Sequence, residues 1–146
     1  MPATKLMHMA AAGEATALRA ALKEGGCELE ARDSNGDTAF LHTCYKGSAE
    51  CMQLLADAGC DTAAMDRYDQ TALMQTAASC VPAAVQLALE KGWGELEARD
   101  DDGDTALVWA CEQGNVECME MLADARCDTS VKSNKGRTCL LYTSPS

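Results

Sequence analysis

The chain is poor in aromatic and basic residues. Its 146 residues include one Phe, two Trp and three Tyr, and 12 Lys and Arg stand against 23 Asp and Glu. The net charge of −11 argues against nucleic acid or an anionic membrane as the main partner, because both require a basic surface. Since aromatic residues are few, Ala and Leu must supply most of the buried surface, which favours closely packed helices over a broad sheet.

Long apolar runs are also missing. No stretch of 18 or more apolar residues occurs, so the sequence predicts no membrane-spanning helix. No secretory signal is indicated either, because Lys5, His8, Glu14 and Arg19 interrupt any apolar segment near the N-terminus. Nine cysteines without such a signal predict a reduced protein, located in the cytoplasm or another intracellular compartment.

The cysteines recur in register, which indicates a structural role. Cys44 and Cys111 each lie six residues after a recurring Thr, where Ala10 and Ala77 stand in other parts of the chain. A Cys that exchanges with Ala behaves as a small buried apolar residue. No C-x-x-C and no Cys/His pair at zinc spacing is present, so we expect no metal site and no cofactor.

The dominant feature of the sequence is a repeat. A Thr followed two residues later by a large apolar residue recurs in steps of 34, 33, 34 and 33, at Thr4, Thr38, Thr71, Thr105 and Thr138. Such a period predicts stacked units, none of which can bury its apolar face alone. In residues 33–65, Thr38 is the predicted N-cap of a first helix, Gly47 ends that helix, and a second helix begins near Ser48.

This unit resembles the ankyrin repeat, whose motif runs D-x-x-G-x-T-P-L-H-x-A-A-x-x-G and then L-L-x-x-G-A-D. The matching residues of the second repeat are Asp33, Gly36, Thr38, Phe40, Cys44, Gly47, Leu54, Leu55, Gly59 and Asp61. The resemblance implies an all-α solenoid of helix-turn-helix units with β-turn or loop fingers. The motif Pro and His are absent from every copy, and the third repeat has Asp69 and Cys80 in place of two glycines. Pro82 is expected in the first turn of that repeat's second helix.

We expect four repeats, at about 1–32, 33–65, 66–99 and 100–132, followed by a partial fifth at 133–138. Repeats one and three share the ending E-L-E-A-R-D, so a 67-residue pair of repeats is duplicated. Residues 139–146 are similar to the translation of an adapter used in sequencing libraries, which predicts a native end near Thr138. Alternatively they are a truncated repeat, because Leu140 fits the repeat register.

Two sets of side chains are candidates for chemical sites. The acidic run Asp100–Asp104 lacks the closing Glu of an EF-hand loop, since Cys111 occupies the twelfth position, so it is interpreted as a turn. Another recurring position carries His8, His42, Gln75 and Trp109, and it predicts a partly exposed stripe on the concave face. Trp109 is either an interface anchor or packed between repeats. No catalytic triad, phosphate loop or dinucleotide motif is present, so we expect no enzyme activity.

The resemblance implies that partner-binding residues lie at the fingertips and on the exposed side of the first helices. Those residues are Asn35, Asp37, Tyr45, Lys46, Arg67, Tyr68, Asp101, Asp102, Asp104, Trp109, Glu112 and Gln113. The predicted function is a monomeric protein-interaction module whose partner carries a basic patch. Alternatively, the chain is the targeting or regulatory segment of a larger enzyme or channel whose catalytic or pore domain is missing from this fragment.

Overall fold

The computed structural model describes residues 5–25 and 28–125. In these residues the chain forms eight helices and no β-strand. The helices are α1 (Lys5–Ala12), α2 (Ala15–Glu24), α3 (Ala39–Lys46), α4 (Ala49–Asp57), α5 (Ala72–Ser79), α6 (Pro82–Lys91), α7 (Ala106–Gln113) and α8 (Val116–Asp124). Consecutive helices pair into four hairpins, one per predicted repeat, which confirms the all-α repeat architecture.

The first helix of repeats two, three and four begins at a capping threonine. The hydroxyls of Thr38, Thr71 and Thr105 each accept the N–H three residues later, at 3.3, 3.3 and 3.4 Å. This bond satisfies one of the donors that a helix N-terminus leaves without a partner. The predicted N-cap role of Thr38 is therefore confirmed.

The turn inside each hairpin requires left-handed backbone after the first helix. Gly47 and Gly114 adopt it with φ of 78° and 72°, as a glycine at this position readily does. In repeat three Cys80 takes the same conformation with φ of 61°, and Asp69 does so in the preceding loop. Both residues stand where the repeat pattern calls for glycine, so repeat three carries backbone strain that its neighbours avoid. Pro82 is the first residue of α6, as predicted.

The helices form two rows. The first helices of the hairpins, α1, α3, α5 and α7, contact one another in chain order, and the second helices form the other row. The core between the rows is mainly aliphatic, but it includes an edge-to-face pair between Phe40 and Trp93, with ring centroids 5.2 Å apart. Trp93 lies in the loop after α6, so this pair links repeat three to repeat two.

The recurring cysteines belong to this core. Cys44, Cys51 and Cys118 are free thiols and are fully buried. Ala77, which occupies the position of Cys44 in repeat three, is fully buried as well. Burial raises the pKa of the Cys44 thiol, which makes it a poor nucleophile. Five cysteines of the described residues are free, namely Cys44, Cys51, Cys60, Cys80 and Cys118, whereas Cys111 is disulfide-bonded, and the reduced, intracellular state of the protein stays a prediction.

None of the described helices is long and apolar enough to cross a membrane. The predicted partial fifth repeat at 133–138 and the tail at 139–146 lie outside the described residues.

Candidate functional site

Each hairpin is joined to the next by a loop that ends in a capping threonine, and we call residues 33–38, 66–71 and 100–105 the fingers. Every finger begins with an aspartate, and we call Asp33, Asp66 and Asp100 the finger aspartates. The Oδ1 atom of each accepts the backbone N–H groups two and four residues later, at 2.9–3.0 Å. The bond to the N–H two residues later is that of an Asx turn, and the second bond extends the contact to the residue four positions later. The carboxylate thus fixes the conformation of the whole turn.

The second carboxylate oxygen binds a side chain nine residues further along. Oδ2 of Asp33 lies 2.8 Å from Nε2 of His42. In repeat three the partner is Nε2 of Gln75 at 3.3 Å, and in repeat four it is the indole Nε1 of Trp109 at 2.9 Å. Three unrelated side chains therefore make the same contact, and each fastens a finger to the first helix of its own repeat.

Sequence reasoning interpreted these three side chains as a partly exposed stripe and missed their bond to the finger. Gln75 is buried, with 6% of its surface exposed, and His42 and Trp109 are half-buried. A signal was available, because every Asp that opens a finger is followed nine residues later by a side chain with an N–H group. The polar end of Trp109 is engaged within its own repeat, and its predicted role as an interface anchor stays a prediction.

Neighbouring fingers are tied to one another through the backbone. The N–H of Arg67 donates to the carbonyl of Asn35 at 3.1 Å, and the N–H of Asp101 donates to the carbonyl of Tyr68 at 3.0 Å. Gly36 permits the first contact, since a Cβ there would lie 2.8 Å from the Arg67 nitrogen. The Arg32 guanidinium adds hydrogen bonds to the carbonyls of Gly36 and Met65. These backbone and guanidinium hydrogen bonds connect the fingers of successive repeats in a chain that lacks the His of the ankyrin motif.

A groove of about 610 Å³ runs between the fingers of repeats two and three and the first row of helices. Five of the twelve predicted partner-binding residues line it: Asn35, Asp37, Tyr45, Lys46 and Tyr68. The other residues that line the groove are Ala11, Leu41, His42, Asp66, Gln70 and Gln75.

The pKa values of two carboxyl groups in the finger of repeat two, Asp33 and Asp37, are shifted in opposite directions. Burial raises the pKa of Asp33, but hydrogen bonds from the Asp37 N–H, the His42 side chain and the Asn35 N–H outweigh it, so the pKa is lowered. Burial also raises the pKa of Asp37, and the charge of Asp66 raises it further, to about 6. Oδ1 of Asp37 is buried and accepts no hydrogen bond.

The remaining seven predicted residues lie outside the groove. Asp101 and Asp102 are exposed at the tip of the fourth finger, whereas Asp104 is buried with 2% of its surface exposed. Desolvation raises the pKa of Asp101, and the negative charges of Asp69, Asp100 and Asp102 raise it further. The others are Arg67, whose Cζ lies 5.6 Å from the Tyr68 ring centroid, the half-buried Trp109 and Glu112, and the exposed Gln113.

Within residues 5–25 and 28–125, two clusters bring possible metal ligands together, namely Asp33 with Asp37 and His42, and Asp100 with Asp102 and Asp104. In each cluster the ligand atoms lie within 4.8 Å of one another. However, both oxygens of each finger aspartate already accept hydrogen bonds from the turn and from the side chain nine residues later. These carboxylates therefore act as turn-forming groups, and the absence of a bound metal stays a prediction.

Comparison with protein families gives one result. The family model for ankyrin repeats, in its three-copy form, matches residues 6–95 and again residues 76–144. Comparison with characterised proteins finds no match. Ankyrin repeats are generally protein–protein interaction modules and are typically non-catalytic. Since the match covers most of the chain and agrees with the row of helical hairpins, the chain belongs to the ankyrin-repeat family.

Proposed function

We propose that this chain is a non-catalytic module that binds a protein partner through the groove and the tips of the fingers. The main support is the groove itself, which brings exposed side chains from two successive repeats, Tyr45 and Tyr68, to one concavity. An open groove of this kind suits an extended protein segment and gives no sequestered space for chemistry.

The fingers are suited to binding because they are fixed before a partner arrives. Each finger aspartate holds its turn by two backbone hydrogen bonds and its helix by a third bond. A surface that is already ordered loses little conformational entropy on association, so more of the contact energy contributes to affinity.

The charge of the fingertips favours a basic partner. Asp69, Asp101 and Asp102 are all exposed, and their proximity raises the pKa of Asp101. A Lys or Arg side chain from a partner would relieve this repulsion and would speed association at low salt. Asp104 is not included in the proposed surface, because it is buried.

The test is affinity capture from a cell lysate with the full chain immobilised. One variant reverses the fingertip charge, Asp101→Lys with Asp102→Lys, and a control makes the same charge change on the exposed side of α8, Glu120→Lys with Asp124→Lys. We expect the wild-type chain and the control to retain the same proteins in a salt-sensitive manner, and the fingertip variant to lose them. Equal retention by all three chains would contradict the proposed surface.

A further inference from the structure

Asp37 differs from Asp66, the other acidic side chain that lines the groove, in having an unmet acceptor. The carboxylate of Asp66 accepts two backbone N–H groups and the Gln75 amide. At the position equivalent to Asp37, repeat three carries Gln70, whose side-chain oxygen accepts from Gln75. Asp37 has no such donor on Oδ1, and its neighbour Asp66 repels its ionised form.

Tyr45 supplies an aromatic surface in the same groove. It is 63% exposed, and it makes no aromatic or cation–π contact in the described part of the chain. Tyr68, which also lines the groove, already has the guanidinium of Arg67 over its ring at 5.6 Å. The Arg67 guanidinium also donates to the carbonyl of Ser34 at 3.1 Å. A guanidinium that contacts a tyrosine and a finger oxygen together is thus already present in this molecule.

The protein's own cationic groups do not neutralise Asp37. Arg32 directs its guanidinium at the carbonyls of Gly36 and Met65, and its charge only partly offsets the rise in the pKa of Asp37. His42 is bonded to Asp33. Lys46 lines the groove but forms no ion pair with Asp37.

We propose that the groove accepts one arginine side chain of the protein partner, with its guanidinium bound to Oδ2 of Asp37, the oxygen of that carboxylate that is not buried, and stacked on the ring of Tyr45. This inference rests on the proposed function and specifies one residue of the partner. Arginine fits better than lysine, because the planar guanidinium can stack on an aromatic ring and donate to a carboxylate at once.

The experiment titrates the ¹⁵N-labelled full chain with N-acetyl-arginine-N-methylamide and follows the amide signals by NMR. The citrulline analogue has nearly the same shape without the charge, and it serves as the matched probe. We expect saturable shifts of residues that line the groove with the arginine probe, and at least tenfold weaker binding of the citrulline probe. Equal shifts with both probes, or shifts scattered away from the groove, would overturn the proposal.

Variants separate the two contacts. Asp37→Asn should weaken binding of the arginine probe at least tenfold, and Tyr45→Ala should weaken it several-fold. Asp57→Asn makes the same change on an exposed residue at the end of α4 and should leave probe binding unaltered. Wild-type affinity in Asp37→Asn would overturn the proposal, and so would a requirement for added Zn²⁺, which would assign the cluster of Asp33, Asp37 and His42 to a metal instead.

The pH dependence gives an independent readout. A carboxyl with a pKa of about 6 is ionised in only about one molecule in eleven at pH 5. Affinity for the arginine probe should therefore fall about tenfold between pH 7.5 and pH 5. The charged groups around Asp37 are Asp33, Asp66, Arg32, His42 and Lys46, and the same titration of Asp37→Asn measures what they contribute.

Failure of this inference differs from failure of the proposed function. If the arginine probe does not bind but the fingertip variant still loses its captured proteins, only the arginine site is wrong. If the probe binds and capture is insensitive to fingertip charge, the groove remains a binding site and the fingertip surface is wrong.

Discussion

The fingers of repeats two and four are built on the same carboxylate contacts, yet they leave different surfaces. In both fingers the first aspartate accepts two backbone N–H groups and a side-chain donor nine residues later. The donor is the small imidazole of His42 in repeat two and the large indole of Trp109 in repeat four. His42 lines the groove, whereas Trp109 does not. The groove lies along the fingers and first helices of repeats two and three. The scaffold is therefore shared, whereas the recognition surface depends on which donor occupies the common position.

Removal of a finger aspartate should cause the largest loss of stability. Asp66→Ala and Asp100→Ala each leave two backbone N–H groups and a side-chain donor without their acceptor, so each should lower the free energy of unfolding by about 3 kcal/mol. Urea denaturation measures the change. Asp57→Ala, on the exposed end of α4, is the control and should cost less than about 0.5 kcal/mol. If the finger variants match this control, the carboxylates do not hold the fingers.

The turns inside the hairpins give a second contrast between repeats two and four. A Cβ on Gly47 would lie 2.5 Å from Cγ2 of Val81, whereas a Cβ on Gly114 would meet nothing within 4 Å. Both glycines have positive φ. Gly47→Ala should therefore cost about 3 kcal/mol from the clash and the backbone strain together, and Gly114→Ala about 1 kcal/mol from strain alone. Equal costs in thermal unfolding would show that the clash is relieved by movement of Val81.

The indole bond of repeat four is tested by Trp109→Phe, which keeps an aromatic ring but removes the N–H group. The expected loss is about 1.5 kcal/mol, because Oδ2 of Asp100 loses its side-chain partner. Either substitution alone removes this hydrogen bond. The loss of unfolding free energy in the double variant, Asp100→Ala with Trp109→Phe, should therefore be smaller than the sum of the losses in the two single variants. Strict additivity in this double-mutant cycle would mean that the two side chains act independently.

The smallest expected effect is a gain in stability. The pKa of Asp37 is about 6 in the folded chain and has the ordinary value of 3.8 when unfolded, so folding favours its protonated form. Its ionisation therefore lowers the free energy of unfolding as the pH rises from about 4 to about 6. Asp37→Asn should stabilise the chain by about 1 kcal/mol at pH 7.5, allowing for partial solvent screening, and by nothing below pH 4. A gain that persists at pH 3.5 would contradict this explanation.

The same substitution should remove the arginine site. A half-buried carboxylate that lowers stability is expected where binding requires an ionised acceptor. Stability and probe affinity measured on Asp37→Asn should therefore change in opposite directions.

The sequence predicted those features that follow from local rules. The repeat period located the hairpins, and the helix boundaries at Thr38, Gly47 and Pro82 follow from capping and backbone preferences. The direction of side chains at the concave face was not predictable in the same way. His42 and Trp109 differ in size and chemistry, and only their hydrogen bonds show that both serve a finger aspartate.

Contacts that cross between repeats were missed for a related reason. Trp93 lies in an irregular loop, and no period in the sequence indicates that its ring packs against Phe40. The unmet acceptor of Asp37 depends on which donors its neighbours already use, which only the three-dimensional arrangement shows.

The central claim is that the finger of repeat two holds one carboxylate firmly and leaves the carboxylate four residues away short of donors. A carbon-detected NMR titration of the Asp33 and Asp37 carboxyl groups in the intact chain tests this directly. We expect Asp33 to titrate below the ordinary aspartate value of 3.8 and Asp37 near pH 6. If both groups titrate together near 3.8, the carboxylates are equivalent, and the basis for the arginine site is lost.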